Sequence, residues 1–235
     1  MIVDRLEDTL NGGFAGLYGE VVTDDVYNLK TLEWAPDVIF DIGANVGVFT
    51  RHARSVFPDA LVVSVEPDYE NFTHLKKFTE VDDKMTFIRG ALGSGGQVFH
   101  QRGALNGAHE VYFTTGLGYA EDEVLEAVGE DGIFDESEVS SWTLPQIISP
   151  FLKDGRKYLL KLDCEGGENS IWSDEAGMDL VRAMDYIVIE LHNHALHGGH
   201  REEVISETRA ALQTLEATHD CHLEHVNYYA MRKDI

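Results

Sequence analysis

Residues 38–48, VIFDIGANVGV, are the stretch whose reading decides the fold. Val38, Ile39 and Phe40 form a short apolar, β-branched and aromatic run, which predicts a buried strand. Asp41 ends that run, and Gly43, Ala44, Asn45 and Gly47 make a tight turn of small residues. From Val48 onward the spacing of Phe49, His52, Ala53, Val56 and Phe57 suits a helix. A strand, a glycine turn and a helix start bring backbone N–H groups and a helix N-terminus around one pocket. In doubly wound α/β folds a nucleotide-like ligand sits at this end of the first strand.

Two ligand types compete for such a turn. A dinucleotide fold uses G-x-G-x-x-G, which lets the backbone close on a pyrophosphate. Here Asn45 takes the second glycine position, and the pattern is D-x-G-x-x-x-G. A carboxylate at Asp41 facing the turn would repel a pyrophosphate and suit a cation. S-adenosylmethionine, with an ammonium, a sulfonium and no phosphate, is such a ligand. The second strand, residues 61–65, runs into Glu66, placed as an acid that grips ribose hydroxyls. Turn and acid together favour S-adenosylmethionine over NAD. The plain alternative is an ordinary strand–turn–helix with a chance acid behind it.

The chain of 235 residues, 43% of them hydrophobic, is long enough to bury a core in one domain. Its two cysteines, Cys164 and Cys221, imply no disulfide framework and point to a reducing, cytoplasmic setting. The opening MIVDRLEDTLNGG has no basic, apolar signal pattern, and no run approaches the roughly 18 apolar residues of a membrane helix. A net charge of −24 argues against a broad nucleic-acid surface and against docking on anionic lipid. A solubilising charged surface, or a saline habitat, accounts for it equally well.

Residues 1–35 read as an N-terminal cap, in which Val26, Leu29, Leu32 and Trp34 either close the pocket or join the core. Residues 36–235 form the main domain. Asp68 predicts an N-cap for a helix over residues 69–79, and residues 85–88 a third strand. Residues 93–141 break the rhythm and read as an acidic insertion. In it, Val98-Phe99 and Val111-Tyr112-Phe113 could pair as a hairpin, and Val124, Leu125 and Val128 sit at helical spacing within an acidic run over residues 121–138. Pro145 starts a short helix reaching Phe151. Strands follow at residues 158–162, ending in Asp163, and 186–189, ending in Glu190. A helix from Asn169 and another over residues 206–215 alternate with them. The tail, residues 221–232, reads as two strands joined by a tight turn. Five strands alternating with helices and then a hairpin imply a mostly parallel sheet covered on both faces.

Three stretches together resemble the FkbM-type S-adenosylmethionine-dependent methyltransferases: DIGANVG at residues 41–47, VEPDYENF at 65–72 and LKLDCEGGE at 160–168. IVIELH at 187–192 is a weaker fourth match. The resemblance implies a Rossmann-like, doubly wound α/β fold, the class I methyltransferase fold, with a seven-stranded sheet whose last strand is antiparallel. It also implies methylation of hydroxyl groups on sugars or secondary metabolites. Carried over by position, Asp41, Gly43, Ala44, Asn45 and Gly47 line the methionine end of the cofactor. Glu66 takes the ribose hydroxyls, with Pro67 and Asn71 beside it, Ala91 borders the adenine, and Asp163 lies next to the transferring methyl. The chain departs from the family pattern at Gly167, at Trp172, in the missing glycine after it, and at Pro145 where an aspartate is common.

Methyl transfer is an in-line displacement, so alignment and exclusion of water do much of the work. An alcohol acceptor must also lose a proton to a base. Asp163, Glu165 and His192 are the candidates for the chemistry; Glu168 either joins them or caps the following helix. His192, His194, His197 and His200 crowd one segment, where a single base, an acceptor contact or a solvated loop are all consistent with the pattern. Asp163 and Glu190 with His192 or Asn193 could hold a divalent ion, but the spacing is no zinc signature. Cys164 reads as a packing residue. The expected function is therefore O-methylation of a small polar metabolite or glycan. The alternatives are N-methylation of a peptide or amine, and a cofactor-binding protein without turnover.

Overall fold

The computed structural model describes residues 15–77, 83–105, 109–115, 133–192, 201–224 and 227–233. Its main sheet has seven strands: β1 (Val38–Ile42), β2 (Leu61–Glu66), β3 (Met85–Arg89), β8 (Tyr158–Leu162), β9 (Tyr186–Glu190), β10 (His219–Glu224) and β11 (Asn227–Arg232). They lie in the order β10-β11-β9-β8-β1-β2-β3. All neighbours are parallel except β11, which runs antiparallel to both β9 and β10. This is the class I methyltransferase fold that the motifs implied.

Every residue of β1 and β8 is buried, as expected of central strands with helices on both faces. Strand side chains alternate between faces. Val38, Phe40 and Ile42 join Leu160, Ile187, Ile147, Met178 and Leu212 in one apolar layer. Ile39 joins Leu159, Val188, Phe49, Ala53 and Leu29 in the other. The helices are α1 (Val48–Val56), α2 (Tyr69–Lys77), α3 (Leu144–Ile148), α4 (Asn169–Trp172), α5 (Glu175–Ala183) and α6 (Arg201–Leu215). The expected helix from Asn169 is thus two helices, broken at Ser173-Asp174. Thr143 caps α3, its side chain accepting from the Gln146 N–H while Gln146 accepts from the Thr143 N–H.

Residues 91–142 supply a second sheet, ordered β4-β7-β5-β6: β4 (Ala91–Leu92), β5 (Gly96–Leu105), β6 (His109–Thr115) and β7 (Ile133–Trp142). The expected hairpin is longer than the two short runs suggested, pairing Phe99 with Thr115 through to Leu105 with His109. The end of the acidic run, residues 133–138, is strand, an element the sequence reading did not assign there. They pair antiparallel with β5, Glu138 opposite Phe99 and Asp135 opposite Arg102, and this ladder overrides local propensity. Val124, Leu125 and Val128 lie outside the described residues. Among the described residues no helix is long and apolar enough to cross a membrane.

Ahead of β1 the chain forms short helical turns at Ala15–Tyr18, Gly19–Thr23 and Leu29–Thr31. Leu29 is fully buried, and Val26, Leu32 and Trp34 pack against the same layer.

Candidate functional site

The turn after β1 is held by its own backbone. The N–H groups of Gly43 and Ala44 both donate to the Val65 carbonyl, at 3.0 and 2.9 Å. Asn45, at φ +49°, donates its N–H to Glu66 Oε2 at 2.7 Å. Its side-chain oxygen accepts from the Val46 N–H, the local bond that makes asparagine tolerable in a left-handed position. The turn therefore faces the C-terminal ends of β1 and β2, and a cavity opens there. About 970 Å³ of space, counted out to solvent, lies between Gly43, Asn45, Glu66, Pro67, Asn71, Ala91, Asp163, Glu165 and Glu190.

Glu66 is buried, and its two oxygens accept the N–H groups of Asn45 and Asp68 at 2.7 and 2.9 Å. Each oxygen keeps a lone pair for a further donor, as a ribose diol would require. Burial pushes its carboxyl up to about 8, against the pull of those two backbone bonds. Asp68 is itself buried and accepts the Asn71 N–H at 2.8 Å, the expected cap of α2.

Asp41, Ala44 and Gly47 sit behind the turn rather than on the cavity wall. Gly47, at φ +87°, precedes α1 and packs on Leu75. Asp41 is wholly buried; its Oδ2 accepts from Thr50 Oγ1 at 2.5 Å, and Thr50 in turn contacts Ser64 Oγ at 2.8 Å. Asp41 is the register partner of Ser64 on β2 and of Lys161 on β8, so a polar row crosses three strands inside an apolar layer. Replacing Thr50, the α1 residue that bridges Asp41 and Ser64, with valine removes the donor to Asp41 Oδ2. Urea unfolding should show a loss of about 1–3 kcal/mol, the cost of stranding a buried acceptor.

Two residues that the sequence did not single out complete the row. Lys161, 2% exposed, places Nζ 2.6 Å from the Gly43 carbonyl oxygen, 3.1 Å from Asp163 Oδ2 and 3.2 Å from Asp41 Oδ1. Tyr27, from the segment before β1, donates its hydroxyl to Asp163 Oδ2 at 3.1 Å and also lines the cavity. It is fixed through its own backbone, whose carbonyl accepts from Tyr186 Oη at 3.1 Å. Burial alone would raise the Asp163 carboxyl, but Lys161 and His192 outweigh it and hold Asp163 below the usual carboxylate range.

His192 is 2% exposed, so it is no solvated loop residue. Its Nδ1 and its backbone N–H both lie within 3.2 Å of Glu168 Oε1. Its Nε2 faces Glu165 Oε2 at 3.5 Å, Asp163 Oδ1 at 3.6 Å and Glu190 Oε1 at 3.7 Å. Burial disfavours its charge, yet Glu168, Glu165 and Asp163 raise its pKa to about 10. At neutral pH this ring holds its proton and neutralises the carboxylates around it. Glu168 is buried and also accepts from the Gly166 N–H at 2.9 Å and from the Cys164 thiol at 3.4 Å. It thereby fixes loop 164–166 and His192, and does not cap α4. Burial pushes the Cys164 thiol well up, consistent with packing rather than nucleophilic use. Burial pushes the carboxyls of Glu165 and Glu190 up to about 7 each. Asp163, Glu165 and His192 bring one ligand atom apiece within 4.8 Å of one another, a spacing a divalent cation could enter. Asn193, His194, His197 and His200 lie outside the described residues.

Five acids, Glu20, Glu66, Asp163, Glu165 and Glu190, line the cavity, and no lysine, arginine or histidine does so among the described residues. A cationic ligand suits such walls and a pyrophosphate does not.

Comparison with known proteins matches residues 41–221 to the methyltransferase FkbM domain. The 31-O-demethyl-FK506 methyltransferase FkbM of Streptomyces tacrolimicus is 30% identical over 224 residues, covering 81% of this chain and 82% of that protein. A stretch of 52 residues is 40% identical to the AMB antimetabolite synthetase AmbE of Pseudomonas aeruginosa. It covers 22% of this chain and 2% of that protein, so the chain spans a small part of that relative's length. Among solved structures, the SAH-bound Podospora anserina methyltransferase PaMTH1 has a TM-score of 0.41 at 13% identity, covering 85% of this chain and 73% of that one.

Proposed function

The chain belongs to the FkbM methyltransferase family, and from that premise we propose that this S-adenosylmethionine-dependent methyltransferase acts on a hydroxyl of a small polar acceptor, a sugar or related metabolite. S-adenosylmethionine supplies an electrophilic methyl group when bound. Gly43 and Asn45 would carry its methionine end, Glu66 its ribose, and Pro67, Asn71 and Ala91 the adenine side. Free Cys164 and Cys221 fit a cytoplasmic setting.

The observation that carries the hydroxyl reading is the set of carboxyls at the acceptor end, where Asp163, Glu165 and Glu190 line one cavity within reach of the turn. A hydroxyl must lose its proton as it attacks, and a base held in reach accelerates this by ~10²–10⁴-fold. Glu165 is the base in this reading: it is the most exposed acid beside His192, with a side chain 43% accessible. Asp163 orients the acceptor hydroxyl, and the charged His192, 3.6 Å from Asp163 and 3.5 Å from Glu165, offsets the repulsion between the two acids. N-methylation of an amine is the second reading, favoured by the acidic lining, which would draw a cationic acceptor.

Calorimetric titration with S-adenosylmethionine, with NAD as control, comes first. Release of S-adenosylhomocysteine is then followed with sugar and polyol acceptors against amines, with and without EDTA. Turnover with hydroxyl acceptors only is the expected outcome; turnover with amines only would overturn it. With the acceptor in hand, Glu165→Gln should lower kcat ~10²–10⁴-fold while the affinity for S-adenosylmethionine stays within about twofold. An unchanged kcat would remove Glu165 from the chemistry.

A further inference from the structure

We propose that Lys161 is a positioning residue that locks the cofactor turn to Asp163, so that cofactor and acceptor sides of the cavity are set as one unit. The proposal deepens the methyl-transfer reading above and rests on it.

An ammonium has three protons and no acceptor capacity, and Lys161 Nζ has three oxygens within 3.2 Å. They come from three different places: the carbonyl of Gly43 in the turn, Asp41 at the end of β1, and Asp163 just past β8. A lysine buried to 2% in the middle of a central strand is costly unless its charge is matched. The rings of Tyr27 and Phe49 add to the match, with Nζ 5.7 and 5.6 Å from their centroids. Burial disfavours the charge, but Asp163 and Asp41 reverse the balance and raise the lysine's pKa. Lys161 itself does not line the cavity, whereas two of its partners, Gly43 and Asp163, do. Its effect on a ligand therefore passes through them.

The geometry around the pair leaves little slack. The backbone N–H of Asp163 donates to the Ile42 carbonyl at 3.1 Å. The Gly43 Cα lies so close to loop 163–164 that a Cβ there would fall 1.7 Å from the Asp163 carbonyl oxygen. The main chains of turn and loop are thus already in contact, and Lys161 adds the bond between the turn's carbonyl and the loop's carboxylate. Tyr27 donates to the same Asp163 oxygen. Without the lysine, the Gly43 carbonyl loses its donor, and Asp163 is left with Tyr27 and His192 in a place where it no longer follows the turn.

The test is a double-mutant cycle on Lys161→Met and Asp163→Asn, reading the dissociation constant for S-adenosylmethionine by calorimetry at one fixed pH. Thermal melts of the ligand-free proteins accompany it. Wild-type protein is the control; failure of wild type to bind would sink the methyl-transfer reading, not this one. Lys161→Met is expected to weaken binding at least tenfold, and Asp163→Asn to cost at least fivefold less in the Lys161→Met background than alone. Effects that simply add, or an unchanged or tighter affinity in Lys161→Met, overturn the proposal. Hydrogen exchange of the ligand-free variant should show faster opening confined to residues 41–47 and 162–166; acceleration spread evenly over the sheet would assign Lys161 to stability alone. If Lys161→Met does not fold, Lys161→Gln, which keeps a donor without the charge, takes its place in the cycle. Failure of both to fold would likewise leave a stability role and overturn the proposal.

Discussion

Gly43→Ala is expected to abolish binding of S-adenosylmethionine and to lower the unfolding free energy by about 2–5 kcal/mol. Two costs add. Gly43 sits at φ +83°, where a side chain costs about 1–2 kcal/mol. An alanine Cβ would also lie 1.7 Å from the Asp163 carbonyl oxygen and 2.6 Å from its carbon, an overlap with backbone that forces displacement at about 1–3 kcal/mol. The turn cannot retreat cheaply, because its Gly43 N–H is bonded to Val65 and its carbonyl to Lys161. Urea unfolding and calorimetry on the variant check both parts. Wild-type stability together with wild-type affinity would mean that turn and loop do not pack as described.

The second large effect is expected at Glu66. Glu66→Gln should weaken S-adenosylmethionine binding ~10²-fold at pH 8, since hydrogen bonds to a charged group contribute about 1.5–3 kcal/mol each. The pH dependence has a definite sign. In the ligand-free protein this carboxyl titrates near 8, raised by burial, so below that pH it is mostly protonated. Ribose hydroxyls, as donors, and a cationic ligand both favour the ionised form. Affinity should therefore rise between pH 6 and 8 and level above it, with a proton released on binding at the lower pH. Calorimetry in two buffers of different ionisation enthalpy measures that proton. A Glu66→Gln protein that binds as tightly, or releases the same proton, would take the role away from Glu66.

Much of the sheet was legible because its strands are short apolar runs buried on both faces, and because Asp41, Glu66, Asp163 and Glu190 mark where those runs stop. The turn at residues 43–47 was legible for a steric reason, since its glycines and Asn45 hold conformations few residues adopt. Less was legible where pairing rather than propensity decides. Residues 133–138 carry four acids or serines and no strand period, yet they pair with β5. Lys161 stood inside a quoted motif, and a lysine between leucines in a buried strand was a signal. Its meaning depends on Asp41 lying opposite it across β1 and β8, residues 120 positions apart in the chain. Tyr27 carried no local sign at all, because nothing near it in sequence shows that it will meet Asp163. Among the histidines, only the fold separates His192, buried against Glu168, from a solvated loop.

The alternation of strand and helix, the glycine turn and the positions of the acids follow from local chemistry: side-chain periodicity, allowed φ/ψ and capping act over a few residues and are written in order along the chain. The charge state of those acids does not. Whether a carboxyl is held ionised like Asp163 or pushed towards neutrality like Glu66 and Glu165 depends on burial and on cations brought within a few ångströms from other strands. Only the packed sheet brings Lys161, Tyr27 and His192 to Asp163, and so only the tertiary structure decides which acid can take a proton.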